Sequence, residues 1–267
     1  MTLQLAAATY RYAGAARPSL HEIDLELAPG DLIGVVGPND AGKSTLCLVA
    51  AGLAPATIQG RLSGSVTIDG LDTRSARPHE LAQRAGILFQ NPVTQLSGTS
   101  ATVWEEIAFG PRNLGLALSE VIARVDEAAD RLAIADLCAR DPERISGGQA
   151  QLVALASILA MRPAYLLLDE PTSQLDPQGT RLVGAALAGL AAGGETGILI
   201  VEHKTDLLDR LCASVLVIEQ GRIARRGGAA EILADPGLPA AGVEPPARVR
   251  LMVAARAAGV DLDPGPA

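Results

Sequence analysis

Leu32-Ile33-Gly34-Val35-Val36-Gly37-Pro38-Asn39-Asp40-Ala41-Gly42-Lys43-Ser44-Thr45 is the stretch that decides the fold. It begins with a continuous apolar run, which is typical of a strand buried on both faces of a sheet. From Gly37 onward it fits the pattern GxxxxGK[ST], in which backbone N–H groups and a helix N-terminus face phosphate oxygens. We therefore expect Lys43 to reach the β- and γ-phosphates of a nucleotide, and the Ser44 hydroxyl to join a Mg²⁺ shell. An ordinary glycine turn into a helix is the alternative.

A second motif, Tyr165-Leu166-Leu167-Leu168-Asp169-Glu170, is an apolar strand that ends in two carboxylates. Two adjacent acids at a strand end can take different roles. Asp169 is expected to hold Mg²⁺, often through water, and Glu170 to act as the general base on an attacking water. A solvated strand end is the alternative interpretation of this pair.

The third motif is Ile145-Ser146-Gly147-Gly148-Gln149, which precedes an apolar helix. Ser146 is a natural N-cap, and the two glycines allow the backbone to approach a ligand closely. Taken alone, the motif is a plain helix start. Its place shortly before Asp169 favours a functional role.

The order of predicted elements gives the organisation of the chain. Short strands, among them Leu3–Ala8, dominate the first seventy or so residues, and residues 91–161 are mostly helical. Buried strands return after Pro163, at Tyr165–Leu168 and Gly197–Val201. Gln220-Gly221 is typical of a hairpin turn. This order predicts an α/β core with an inserted helical subdomain. We expect one domain over residues 1–226, with the insertion at about 91–161, and a small, helical tail over 227–267.

Composition excludes several classes of function. The 267 residues carry a net charge of −8, which disfavours binding to nucleic acid or to an anionic membrane surface. The three cysteines are scattered and show no metal-ligand spacing, which indicates reduced thiols. Residues 1–5 show no signal-peptide pattern, and the apolar runs are too short for a membrane helix. We therefore expect no direct membrane insertion, and any membrane role must pass through a partner.

Together these motifs resemble the nucleotide-binding domain of ABC ATPases, over nearly the whole chain up to about Arg225. That resemblance implies a P-loop ATPase core with an N-terminal antiparallel β subdomain and an inserted α-helical subdomain. Further matches are Tyr12, which would stack on adenine; Gln90, which would link ATP to a transmembrane partner; residues 173–176, which would bridge two subunits; and His203, which would contact the γ-phosphate.

The resemblance assigns residues to each role. Catalysis would fall to Lys43, Glu170 and His203. ATP would be bound by Tyr12, Gly37, Pro38, Asn39, Asp40, Ala41, Gly42, Lys43, Ser44, Thr45, Gln90, Ser146, Gly147, Gly148, Gln149 and Asp169. Magnesium would be held by Ser44, Gln90 and Asp169. Two departures stand out: Asp40 occupies a position where the family usually has Gly, and Leu152 one where Arg is common.

A finer resemblance is to the ATPases of energy-coupling factor (ECF) importers, which take up vitamins and metal ions. It is carried by residues 90–95 with 103–111, by residues 53–60, and by residues 242–251. It implies a second ABC ATPase domain, identical or different, and a transmembrane subunit near residues 90–115, where Trp104 is a candidate anchor. The chain would then lie at the cytoplasmic face of the membrane. A soluble ABC ATPase that acts as an assembly factor or chromosome-associated machine is the alternative. A small-molecule P-loop kinase is a further alternative, and it is disfavoured because it would leave residues 146–149 and His203 without a role.

Overall fold

The computed structural model describes residues 1–260 as two β-sheets surrounded by helices. The strands are β1 (Leu3–Tyr12), β2 (Leu20–Leu27), β3 (Leu32–Val36), β4 (Gly60–Ile68), β5 (Leu71–Asp72), β6 (Ala85–Leu88), β7 (Tyr165–Asp169), β8 (Gly197–Val201), β9 (Ser214–Glu219) and β10 (Arg222–Gly228). The helices are α1 (Lys43–Ala50), α2 (Leu53–Ala56), α3 (Pro78–Ala82), α4 (Val103–Asn113), α5 (Leu118–Arg131), α6 (Gly147–Leu159), α7 (Pro177–Ala192), α8 (Thr205–Leu211), α9 (Ala229–Leu233) and α10 (Ala247–Ala257). The predicted α/β class is confirmed.

The larger sheet has the strand order β10-β9-β3-β8-β7-β6. All of its neighbouring pairs are parallel except the edge pair of β9 and β10. Because the parallel strands share one direction, the loops that follow β3, β6, β7 and β8 emerge at the same edge of the sheet. That edge brings together the phosphate-loop motif, Gln90, the two carboxylates and His203.

Both faces of this sheet are buried, as the continuous apolar runs predict. In β7, Leu166 and Leu168 point into a core formed with the helices. Tyr165 and Leu167 point into a second core, formed with α1 and the antiparallel sheet. Each such leucine is at most 1% exposed, and burial of its side chain stabilises the fold by roughly 1.5–3 kcal/mol.

The smaller sheet, with the order β2-β1-β4-β5, is antiparallel and matches the predicted N-terminal β subdomain. Its strands are longer than the sequence patterns indicate, since β1 continues past Ala8 to Tyr12. The register shifts between Ala6 and Thr9, opposite Gly64, and a Cβ on Gly64 would lie 2.3 Å from the carbonyl oxygen of Ala7. This bulge interrupts the period-two alternation but not the strand, and it carries Tyr12 to the end of β1.

Between β6 and β7 the regular structure of the chain is entirely helical, in the region that we propose as the inserted subdomain. Helix α5 buries Val121, Val125, Ala128 and Ala129 on one side. Helix α4 begins at the cap Thr102, whose side chain accepts a hydrogen bond from the Glu105 N–H. Short 3₁₀ turns at Pro92–Thr94, Ala135–Leu137 and Pro142–Arg144 connect the longer helices.

Strand β10 extends to Gly228, so the first two residues of the proposed tail, 227 and 228, belong to this strand. Helices α9 and α10 follow. Helix α10 is attached to α8, where Asp206 accepts a 2.9 Å hydrogen bond from the Ala247 N–H and Arg248 pairs with Asp209. The last seven residues of the predicted tail, 261–267, lie outside the described residues. In the described part, every helix falls short of the length and apolar character that a membrane span needs.

Candidate active site

A cleft of about 560 Å³ opens at the carboxyl edge of the parallel sheet. Its walls come from the end of β1, the loop before α1, and the loops after β6, β7 and β8. The lining residues are Tyr12, Ser19, Asn39, Asp40, Ala41, Gly42, Lys43, Ser44, Thr45, Gln90, Glu170 and His203. Residues predicted from separate motifs therefore share one cavity. Ser19 has no recognisable sequence signal and was missed.

The loop between β3 and α1 depends on glycines at two close approaches. Gly37 has φ +153°, and a Cβ there would lie 2.1 Å from the carbonyl oxygen of Ile218. Gly42, the N-cap of α1, has φ +102°, and its Cβ would lie 2.5 Å from the carbonyl oxygen of Ser19. Because any side chain would collide with backbone, the loop can pass between its neighbours only with glycine at both positions. The N-terminus of α1 thus faces the cleft, where it favours an anion.

Lys43 is the cation of this loop, and only 7% of it is exposed. Its Nζ donates hydrogen bonds to the carbonyl oxygens of Gly37 (2.9 Å) and Pro38 (2.7 Å). Burial lowers the pKa of the Lys43 ammonium, whereas the nearby carboxylates of Glu170, Asp169 and Asp40 act in the opposite direction. An ammonium in this partly dehydrated position interacts strongly with any phosphate that enters the cleft.

Glu170 stands between two other predicted site residues. Its Oε2 accepts a 3.0 Å hydrogen bond from Nε2 of Gln90, and its Oε1 lies 3.1 Å from Nε2 of His203. The backbone at Glu170 is left-handed, with φ +53°, which is a costly conformation for a residue with a side chain. This turn directs the carboxylate into the cleft, away from the sheet, where it is suited to accept a proton from a water.

Asp169, one residue earlier, ends β7 and is 6% exposed. Burial raises the pKa of its carboxyl, and the Ser44 hydroxyl partly offsets this by hydrogen bonding. Its Oδ1 is buried and accepts no hydrogen bond within residues 1–260. A buried carboxylate oxygen without a partner, beside a hydroxyl, fits a hard cation such as Mg²⁺, which prefers oxygen ligands.

No cage of three or more His, Cys, Asp or Glu side chains occurs in the described part of the chain. Mg²⁺ binds through few protein ligands and is completed by phosphates and water. The residues present therefore fit the predicted magnesium set of Ser44, Asp169 and the Gln90 amide, and we keep that set as a proposal.

Tyr12 forms the side wall of the cleft. Its hydroxyl lies 3.1 Å from Oγ1 of Thr45, and its ring meets that of Tyr10 edge to face at 5.0 Å. These contacts fix the ring next to the first turn of α1. A fixed aromatic at this wall offers a flat surface for a base, which keeps the adenine role of Tyr12 as a proposal.

Ser146–Gln149, the N-cap and first turn of α6, is called the Ser146–Gln149 loop below. It does not line the cleft. Ser146 caps α6: its hydroxyl accepts from the Gln149 N–H at 3.3 Å, and the Gln149 side chain accepts from the Ser146 N–H at 2.9 Å. Ser146 and Gly147 are exposed. These residues therefore present a helix N-terminus to the outside of the chain. Leu152, on the same helix, is partly buried and packs against the core that the helices form with the parallel sheet, called the helical-side core below.

Asp40 has φ +60°, which explains why glycine suits this position and gives a testable consequence. Its carboxylate lines the same cleft as Lys43. We expect Asp40→Asn to tighten ATP binding by about threefold, since it removes a partly screened negative charge near the phosphates. Asparagine also tolerates the left-handed backbone. Titration with ATP at low and high salt is the measurement, and the gain should shrink at high salt. Equal affinities of the two proteins at low salt would contradict the expectation.

The chain is similar to known proteins over most of its length. A protein-family model described as ABC transporter matches residues 20–173. A putative ABC transporter ATP-binding protein of Pyrococcus horikoshii is 38% identical over 91% of this chain and 85% of its own length. The energy-coupling factor transporter ATP-binding protein EcfA1 of Halalkalibacterium halodurans is 36% identical over 98% of this chain and 91% of its own. The solved structure of cbiO1 from Clostridium perfringens, part of the ABC transporter complex cbiONQ, superposes with a TM-score of 0.76 at 30% identity, covering 94% and 98% of the two chains.

Proposed function

The chain belongs to the ABC transporter family as an ATP-binding and ATP-hydrolysing subunit, and from this premise we propose that it energises an ECF-type importer of a vitamin or metal ion. The ECF assignment is supported by the similarity to EcfA1 and to cbiO1, each over more than nine tenths of this chain. It is also supported by the sequence resemblance in residues 53–60, 90–111 and 242–251.

One observation carries the catalytic part of the proposal: Glu170, Gln90 and His203 meet in the cleft that contains Lys43. In the proposed mechanism Lys43 and the N–H groups of the glycine-rich loop hold the β- and γ-phosphates. Glu170 orients a water and accepts its proton, while His203 keeps the carboxylate in place and contacts the γ-phosphate. Mg²⁺, held by Ser44, Asp169 and Gln90, would neutralise phosphate charge.

We propose that a second ABC ATPase completes this site. The exposed position of the Ser146–Gln149 loop supports this, because the loop cannot serve the cleft of its own chain. In the proposed pair, the loop of each chain faces the ATP held by the other, and ATP contacts that exist only in the pair drive closure. The partner is either a second copy of this chain or a different ATPase.

The proposed contact with a transmembrane subunit lies near Gln90, and Trp104 stays a candidate anchor, since its side chain is partly exposed while it packs against the core that the helices form with the parallel sheet. Two more exposed apolar side chains lie in the same segment. Phe109 in α4 is 49% exposed, and Val93, in the 3₁₀ turn just after Gln90, is 61% exposed. Val93 lies three residues after Gln90, the proposed nucleotide-sensing residue, and an exposed apolar side chain there suits a partner that must respond to ATP.

Phe109→Asp tests this docking surface. An aromatic anchor contributes disproportionately to an interface, so we expect affinity for the membrane subunit to fall at least ~30-fold. ATP binding should be unchanged, because Phe109 lies outside the cleft. The measurement pairs co-purification with the membrane subunit encoded beside this chain and ATP titration of the isolated variant.

Val253→Asp is the matched control, since Val253 is 62% exposed on α10. It should co-purify as well as the unchanged chain. Loss of ATP binding together with docking in Phe109→Asp would mean that Phe109 is needed for the fold. Wild-type docking of Phe109→Asp would contradict the proposed surface. A chain that engages no membrane subunit at all would favour a soluble ABC ATPase.

A further inference from the structure

The two residues that flank His203 bind the segment that follows Glu170. Glu202 is 2% exposed, and its Oε2 accepts a 2.6 Å hydrogen bond from the buried hydroxyl of Thr172. Its Oε1 accepts from the backbone N–H groups of His203 (2.9 Å) and Lys204 (3.3 Å). One buried carboxylate therefore joins the loop after β8 to the loop after β7.

Lys204 joins the same two loops on their outer side. Its Nζ donates to the carbonyl oxygens of Thr172 (2.7 Å) and Leu175 (3.3 Å), and to Oγ1 of Thr180 at 3.0 Å. These three acceptors span the segment 172–175 and the first turn of α7. Hydrogen bonds from a charged donor are stronger than neutral ones, so the ammonium holds this segment in one conformation.

The far side of the segment touches the Ser146–Gln149 loop. A Cβ placed on Gly147 would lie 2.5 Å from Oε1 of Gln174, and one on Gly148 would lie 3.1 Å from the carbonyl oxygen of Gln174. The segment 172–175 is thus held between the residues around His203 and the N-terminus of α6. Glu170, at its start, also contacts His203 at 3.1 Å.

A displacement of His203 or Glu170 must therefore change the environment of Gln174. Glu202 is a buried charge, and leaving such a group without its hydrogen bonds is costly. We therefore expect the loops after β7 and β8 to move together. The Ser146–Gln149 loop contacts Gln174, so it would feel the same change.

We propose that Glu202 and Lys204 are positioning residues that couple the state of the chain's own cleft to its Ser146–Gln149 loop. This inference rests on the proposed function, in which that loop acts on ATP held by a second ATPase. Neither residue touches the nucleotide cleft. Their effect is on how well the loop is placed when His203 and Glu170 engage their own ATP.

Two substitutions outside the cleft each remove a different contact between the residues around His203 and the segment 172–175. Lys204→Met removes the ammonium, and Thr172→Val removes the hydroxyl while keeping the shape. In each, kcat for ATP should fall about tenfold, which corresponds to about 1.4 kcal/mol. The affinity of the separated chain for a fluorescent ATP analogue should stay within about twofold, because the phosphate loop is untouched. Lys204→Arg should restore most of the activity, since a guanidinium can also donate to several carbonyl oxygens.

Arg210→Met is the matched control, because it removes another exposed cation, one whose guanidinium donates to the Asp206 carbonyl oxygen within its own helix α8. It should leave kcat unchanged. Wild-type kcat in both Lys204→Met and Thr172→Val would overturn the proposal. A parallel loss of nucleotide affinity and melting temperature would overturn it too, because the contacts would then serve only the fold.

Adding Lys204→Met to Glu170→Gln distinguishes failure of this inference from failure of the proposed function. If Glu170→Gln alone fails to pair in ATP, the two-chain site is wrong, whereas the kcat comparison still decides the role of Lys204. If Glu170→Gln pairs, the double variant with Lys204→Met should pair about tenfold more weakly, because a misplaced Ser146–Gln149 loop would make fewer contacts with the ATP held by the other chain. Equal pairing of single and double variants would overturn the coupling.

Discussion

Lys43→Ala is expected to abolish ATP hydrolysis and to weaken nucleotide binding strongly. The substitution removes the ammonium of the proposed phosphate loop, which is 7% exposed. A charge-assisted contact that is strongest as negative charge builds up in the transition state contributes roughly 100- to 1,000-fold, so we expect turnover at least ~100-fold slower. Steady-state release of phosphate and titration with a fluorescent ATP analogue measure the two effects.

The fold of this variant must be checked, because Lys43 also donates to the carbonyl oxygens of Gly37 and Pro38. Its circular dichroism spectrum should match that of the unchanged chain. Wild-type turnover in a folded Lys43→Ala protein would contradict the assignment of the phosphate loop.

Glu170→Gln should hydrolyse ATP at least ~100-fold more slowly, which is the range typical of a lost proton acceptor. The amide keeps the size of the side chain and can still hydrogen-bond to Gln90 and His203. ATP binding should therefore persist, and removal of a negative charge next to the γ-phosphate favours it. Single-turnover hydrolysis and ATP titration make the measurement.

Glu231→Gln is the control for this change, because Glu231 is an exposed carboxylate in α9, outside the cleft. It should hydrolyse ATP at the normal rate. If Glu170→Gln kept its activity, the proton acceptor would be another group, and Glu170 would be a strand-end carboxylate held by its neighbours.

Much of this site is predictable because it follows strand ends. Lys43, Gln90, Glu170 and His203 each come directly after, or within a few residues of, an apolar run that forms a parallel strand. Parallel strands with a common direction must deliver these residues to one edge, so motif and fold support each other. The buried runs of β3 and β8 were predicted with the bounds that the structure gives.

Other features depend on how separate loops meet, and no local pattern announces them. The hydrogen bonds of Glu202 and Lys204 to the segment after Glu170 link residues about thirty positions apart. Ser19 reaches the cleft only because the chain before β2 passes beside Gly42. Strand β1 was underestimated because a bulge at Ala6–Thr9 breaks its alternation. In each case the missing information was a tertiary contact rather than a propensity.

The exposed aromatic of α4 illustrates the same limit. The sequence indicates an apolar segment near Gln90 but not which of its side chains face outward. Trp104 would be the first choice by residue type, yet it packs against the helical-side core, whereas Phe109 is half exposed. The exposed fraction of each side chain, which is known only from the folded chain, therefore makes the docking hypothesis more specific.

The central claim is that two ATPase chains share each ATP, with Ser146–Gln149 of one facing the phosphate loop of the other. Light scattering of Glu170→Gln, alone and mixed with any ABC ATPase encoded beside it, tests this directly. We predict that the mass doubles when ATP is added, and that adding Ser146→Arg leaves the chain single although it still binds ATP. A Glu170→Gln protein that binds ATP but stays single in both mixtures, or pairs equally well with Ser146→Arg, would contradict the account.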